Sequence, residues 1–163
     1  MDDAFVDLRQ VLYTTEVEFT RMRQLIVNSV MATDIMDKEL GAFRKARWDK
    51  AFFEADNNCD GFAFHRKATI VLEHLIQASD VAHTMQHWHV YIKWNERLFE
   101  ELYKAYLDGR ADTDPSISWY QGEMGFFDFS IMPLAEKLAS CGVFGVFSAE
   151  YLDYAETNRR EWE

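Results

Sequence analysis

The sequence predicts an all-α fold, a compact helical bundle, and three observations lead there. Apolar residues recur at steps of three and four through most of the chain, the spacing of one helix face. Two prolines and seven glycines in 163 residues are too few to punctuate a chain of short strands. Hydrophobic residues make up 48% and aromatic residues 15%, enough to enclose a core, which excludes a disordered chain. The length is that of one domain, and no internal repeat or low-complexity tract interrupts it.

Charge narrows the partners. A formal net charge of −11 excludes a nucleic-acid or anionic-membrane surface, which needs clustered lysine and arginine. No apolar run approaches the roughly 18–20 residues that span a bilayer. The two cysteines, Cys59 and Cys141, lie far apart, and the opening MDDAF has neither a basic nor an apolar leader region. Reduced thiols and a cytoplasmic location are expected, either as a free chain or as the cytosolic part of a larger signalling protein.

The elements follow in order. A first helix is expected over about Asp3 to Tyr13, with Phe5, Leu8 and Val11/Leu12 on one face. Thr14 and Thr15 can cap a second, running to about Thr33, whose inner stripe is Phe19, Met22, Leu25/Ile26 and Ser29/Val30. A third, Asp34 to Ala55, turns Leu40, Phe43, Ala46 and Phe53 inward. DNNCDG, Asp56 to Gly61, breaks the pattern. It has the opening acids of a calcium loop, but Lys67 stands where the bidentate glutamate belongs, so it is an ordinary turn. An apolar helix follows over about His65 to Ser79, with Ala68, Val71/Leu72 and Leu75 inward, then a long one over about Thr84 to Asp108. After the loop Asp112 to Pro115, Phe127, Ile131, Leu134, Leu138 and Cys141 form a strong helical stripe. Pro133 inside that stripe predicts a kink and a Phe129 carbonyl freed from its usual bond. Gly142 and Gly145 end the helix, and Ser148 can cap a last one through about Trp162.

The richest chemistry lies in Gln77 to Glu101, QASDVAHTMQHWHVYIKWNERLFEE. Asp80 closes an apolar run, His83, His87 and His89 follow, and Trp88, Tyr91, Asn95, Leu98 and Leu102 recur at helical spacing. His83 and His87 have the i, i+4 spacing that zinc sites use, but no HExxH-type acid accompanies them. Packed or exposed histidines are the plainer reading. Asp80 alone is equally a helix cap or a surface ion pair. Phe126 alone is equally core packing, and Cys141 reads as a buried structural thiol.

Four blocks in order resemble the C-terminal part of the class I 3',5'-cyclic nucleotide phosphodiesterase catalytic domain, a helical domain of HD type. VMATDI (Val30 to Ile35) resembles that family's ATDM helix end, and LEHLIQASDV (Leu72 to Val81) its LVHCADIS segment. HTMQHWHVYIKWNERLFEE is similar, without a gap, to its NPTKPxxxYxxWxxRxxEE helix, and EMGFFDFSIMPL (Glu123 to Leu134) to its QVGFIDxxxxPL helix. The variant HTMQHWHVY is most similar to microbial and algal members. The resemblance implies roles position by position. Asp80 matches a carboxylate ligand of a tightly held, zinc-like ion, and Thr33 a group near a second, magnesium-like ion. Ile35 matches an apolar residue of the substrate pocket, and Tyr91, Trp94, Asn95, Leu98 and Phe99 the helix that lines it. Phe126 matches the aromatic that stacks on the purine. The implied substrate is a cyclic nucleotide, cAMP or cGMP. The implied reaction is hydrolysis to the 5'-nucleotide by water activated between two divalent ions about 3.5–4 Å apart.

Three departures qualify this. Glu123 stands where the family has its base-recognising glutamine, and an ionised carboxylate only accepts hydrogen bonds. Against either purine it gains one bond and loses another, so it does not assign cAMP or cGMP; kept protonated by burial against Phe126, it would mimic glutamine. His83 replaces the purine-contacting asparagine. The family's HNxxH and HDxxHxG motifs are absent, and no histidine precedes Val30. The expectation is a partial domain over residues 1–163, with family motifs within 30–134, that retains no ions and is inactive alone. Two further readings stand beside it: a non-catalytic helical interaction module that self-associates through an exposed apolar face, and a small histidine-dependent metal protein.

Overall fold

A computed structural model describes residues 5–35, 37–53, 61–147 and 149–163. Every regular element among them is helical, so the all-α class holds. The chain forms two compact units, Met1–Ile76 and Gln77–Glu163.

The first unit contains α1 (Val6–Leu12), α2 (Glu16–Ala32), α3 (Lys38–Phe52) and most of α4 (Gly61–Asp80). Thr15 starts α2 with a capping box: its Oγ1 accepts from the Glu18 N–H at 3.2 Å, and Glu18 Oε2 accepts from the Thr15 N–H at 3.0 Å. The third helix begins later than Asp34, because Asp37 is the residue whose carboxylate takes the free N–H groups of Glu39 and Leu40. The proposed turn over Asp56 to Asp60, with its calcium-like acids, lies outside the described residues.

The expected inner faces need correction here. Phe5, Leu8, Val11 and Leu12 of the first segment are exposed, as are Ile26 and Val30 of α2. Phe43 and Phe53 are exposed too, and α3 instead buries Trp48 and Ala51. On α4, Leu72 and Leu75 are exposed while Ile70, Glu73, His74 and Gln77 are buried. The buried polar side chains explain the rotation. Arg47 Nη1 lies 2.8 Å from both oxygens of Glu73, and His74 donates from Nδ1 to the Ile70 carbonyl at 2.8 Å under the Trp48 ring. A buried carboxylate with a cation, and an imidazole with a carbonyl, meet the condition for burying polar groups.

The second unit continues from the end of α4 through a 3₁₀ turn, Ala82–Met85, into α5 (Trp88–Leu107). The long helix therefore starts at Trp88 rather than Thr84. Gly109, at φ 69°, ends it in the left-handed conformation that a Cβ disfavours. Asp114 accepts from the Ser116 N–H at 2.8 Å to open a short 3₁₀ turn, Pro115–Ile117. Then come α6 (Trp119–Phe126), a π-helical turn (Phe127–Ile131), α7 (Met132–Ser140) and α8 (Glu150–Glu161). The expected stripe is buried at Phe127, Ile131, Leu134 and Leu138, with Cys141 half-buried. The irregularity that Pro133 demands is taken up one turn earlier, where five residues widen to π-helical bonding. Ser148 lies outside the described residues, and Ala149 stands at the N-cap of α8.

Helix α8 clasps the unit through two neighbouring residues. Asn158 Nδ2 donates to the Thr84 and Gln86 carbonyls at 2.9 and 2.7 Å, and Arg159 pairs with Asp128 at 2.9 Å. Among the described residues no helix is long and apolar enough to cross a membrane.

Candidate functional site

The centre of the second unit is polar. Tyr91, one turn into α5, is fully buried, and its hydroxyl meets three side chains from three helices. Trp162, just past α8, brings its Nε1 to 2.7 Å, and Asn95, one turn further along α5, brings its Nδ2 to 3.2 Å. Both are N–H donors, so the Tyr91 oxygen accepts from both and has one proton to give. It gives it to Glu123 Oε2 on α6, at 2.6 Å. Asn95 is oriented in turn by Trp119, whose indole nitrogen can only donate and lies 3.1 Å from Asn95 Oδ1. The donors therefore run one way, from Trp119 and Trp162 through Asn95 and Tyr91, and end on one carboxyl group.

Among the described residues, that carboxyl has hydrogen bonds but no cation against it. Glu123 is 9% exposed. Burial pushes its carboxyl above the ordinary carboxylate range, and the bonds from Tyr91 and Asn95 draw it back part of the way. Burial, with the carboxyl beside it, also raises the Tyr91 phenol, which keeps that group a neutral donor. The ring of His83, on the 3₁₀ turn, lies parallel to that of Tyr91 at 6.0 Å. Burial lowers the His83 imidazole, and the nearby Asp80 charge opposes the shift.

Of the other predicted residues, Phe126 is half-buried on α6, one turn from Glu123. On α5, Phe99 is half-buried with its ring 5.0 Å from that of Trp119, while Trp94 and Leu98 are exposed. Tyr91 and Asn95 are a buried hydrogen-bonding core rather than an open wall, because their polar atoms are already engaged with one another and with Glu123. Asp80 is exposed at the last position of α4. In the first unit, Thr33 ends α2 with its hydroxyl on the Val30 carbonyl at 2.8 Å, and the half-buried Ile35 follows two residues later. Arg44 holds this corner by donating to the Met31 and Asp34 carbonyls at 3.3 and 2.9 Å. A groove of about 700 Å³ in the same unit, lined by Val17, Thr20, Arg21, Leu25 and His65, contains none of the predicted site residues.

Sequence reasoning missed Trp119, Trp162 and Arg44. The available signal was chemical: a partly buried indole N–H needs an acceptor, and the Tyr91 hydroxyl and the Asn95 amide oxygen are the acceptors that Trp162 and Trp119 find. The i, i+4 pairing of His83 with His87 does not form on one helix, because His83 sits in the 3₁₀ turn and His87 caps α5.

A family model described as 3'5'-cyclic nucleotide phosphodiesterase matches residues 7–143. The chain belongs to that family. Among curated proteins it is similar to the dual specificity calcium/calmodulin-dependent 3',5'-cyclic nucleotide phosphodiesterases 1B of Mus musculus and Rattus norvegicus. Each is 25% identical over 128 residues, covering 73% of this chain and 22% of the relative. The chain thus spans well under two thirds of these relatives. Phosphodiesterases of this family depend in general on divalent metal ions. Among the described residues, no group of three or more His, Cys, Asp or Glu could hold one. Trp162 lies beyond the matched residues, yet it is bonded to the hydroxyl that orients Glu123.

Proposed function

We propose that this chain carries the base-reading part of a 3',5'-cyclic nucleotide phosphodiesterase domain, with cAMP or cGMP as ligand. The observation that carries the reading is the buried Glu123 at the end of a one-way array of donors. A buried carboxyl without a countercharge is costly to keep ionised, and such groups concentrate where chemistry needs them. With Oε2 committed to the Tyr91 hydroxyl, a proton taken up by Glu123 sits on Oε1. The neutral acid then offers one donor and one acceptor, as the family's glutamine amide does. Phe126 provides the flat face against the purine, and Trp94, Leu98 and Phe99 the apolar surround, while Ile35 keeps the family position of an apolar pocket residue. His83, held parallel to Tyr91, lies at the base edge. Asp80 holds the family position of a carboxylate ligand of the zinc-like ion, and Thr33 the family position of a group associated with the magnesium-like one. One carboxylate does not hold two ions, so the isolated chain is inactive. Its place is the cytoplasm, alone or as part of a larger signalling protein.

The test uses the purified chain. Ligand-observed NMR and calorimetry with cAMP and cGMP are expected to give binding no tighter than about 1 mM, or about −4 kcal/mol, abolished by Glu123→Ala. Binding indifferent to that change would sink the base-reading role. Turnover at about 1 per second or faster with added zinc, magnesium or manganese would sink the inactivity.

A second reading, the helical interaction module, is favoured by the exposed apolar residues Val17, Ile26, Val27, Val30 and Met31 along α2. Light scattering decides it: a strict monomer at high concentration removes self-association.

A further inference from the structure

His87 and His89 form a pair that none of the roles above uses. Their Nδ1 atoms lie 2.8 Å apart, with ring centroids at 4.5 Å, and both side chains are exposed. Two N–H groups cannot face each other at that distance, so at least one nitrogen presents a lone pair. The backbone beneath them is held on both sides. The His87 carbonyl accepts the first N–H groups of α5, from Val90 at 2.8 Å and Tyr91 at 3.2 Å. The preceding Gln86 carbonyl accepts from the buried Asn158 at 2.7 Å. Trp88, between the two histidines, packs against Tyr91 and Trp162 at ring separations of 5.3 and 6.1 Å. Neither imidazole can follow Trp88 inward, and both are kept on the solvent side of the helix start.

We propose that His87 and His89 form a two-imidazole site for a divalent late first-row ion of tetragonal preference, Cu(II) or Ni(II), completed by water. The separation chooses the geometry. Two imidazole nitrogens bound at about 2.0–2.1 Å stand about 2.8–3.0 Å apart at a right angle, and about 3.3–3.4 Å apart at the tetrahedral angle. The observed 2.8 Å fits the right angle of square-planar or tetragonal coordination, which belongs to Cu(II) and Ni(II) rather than to zinc. Binding replaces the His–His hydrogen bond with two metal–nitrogen bonds, the Nδ1 proton passing through solvent to Nε2 of the same ring, while the half-buried Trp88 and the buried Asn158 keep their contacts.

The test titrates the full chain with nickel chloride by calorimetry, and follows copper sulfate by electron paramagnetic resonance. One equivalent of Ni(II) is expected, with nitrogen hyperfine structure in the Cu(II) spectrum. His87→Ala and His89→Ala should each weaken binding at least tenfold, and His65→Ala should leave it unchanged. Circular dichroism checks that the variants keep their helices, as two exposed side chains should allow. Affinity indifferent to both changes, or zinc bound more tightly than nickel, overturns the site.

Discussion

In the unit Met1–Ile76, Glu73 is 3% exposed and lies against Arg47, one guanidinium nitrogen reaching both carboxylate oxygens. In the unit Gln77–Glu163, Glu123 is nearly as buried, but its hydrogen-bonding partners are a phenol and an amide, with two indoles behind them. Both acids have hydrogen bonds, and among the described residues only Glu73 of the two has a countercharge. Neutral donors satisfy the lone pairs of Glu123 without cancelling its charge, so burial still favours the protonated form. The first arrangement holds a fold together. The second leaves a carboxyl whose burial, without a countercharge beside it, holds its pKa above the ordinary carboxylate range, which is why the functional reading rests there.

Breaking the charged pair should have the largest effect. Arg47→Ala strands a buried carboxylate and is expected to cost about 3 kcal/mol, the low end for buried pairs, because Arg47 is itself 43% exposed. Urea denaturation measures it, and a loss below about 1 kcal/mol would make Glu73 no more than a surface acid. Next comes Tyr91→Phe, which removes the acceptor of Trp162 and Asn95 and the donor to Glu123 in one change. About 2 kcal/mol is expected, the range for stranding buried polar groups. Because the Tyr91 bond lowers the Glu123 pKa, its loss should move the carboxyl further up, read from a ¹³C-glutamate NMR titration; a downward move would refute the donor direction.

Glu123→Gln sharpens the comparison through pH. A carboxyl whose folded pKa is raised binds its proton more tightly in the fold than in the unfolded chain. Its contribution is therefore fully present below the unfolded pKa of about 4.3 and is lost as pH rises towards the folded value, at up to about 1.4 kcal/mol per unit. The glutamine variant should lack that loss, so its stability profile just above the ordinary carboxylate range should be flatter than that of the parent. Identical profiles would mean that Glu123 titrates normally. The smallest effect belongs to the exposed pair Lys45–Asp49, where Asp49→Ala should change stability by no more than about 0.5 kcal/mol.

The sequence was most readable where one apolar stripe had one destination. Phe127, Ile131, Leu134 and Leu138 were expected inside and are buried, while Phe129, off that stripe, is exposed. In α2, α3 and α4 apolar residues occupy more than one face, so spacing marks a helix without saying which face turns inward. Phe43, Phe53, Leu72 and Leu75 satisfy the helical period and are exposed, while Glu73 and His74 are buried. The family blocks pointed to Glu123, Tyr91 and Asn95, but not to the bonds among them.

Helix class, the caps at Thr15 and the stop at Gly109, and membership of the phosphodiesterase family were determined by the sequence alone, since each depends on residues close together in the chain or on a recognisable order of motifs. The donor array was decided only by the tertiary structure. Tyr91 and Glu123 are 32 positions apart, and Trp162 is 71 from Tyr91. No local pattern records which indole will reach which hydroxyl, because hydrogen-bond direction exists only once the three helices have converged and each buried donor has had to find an acceptor.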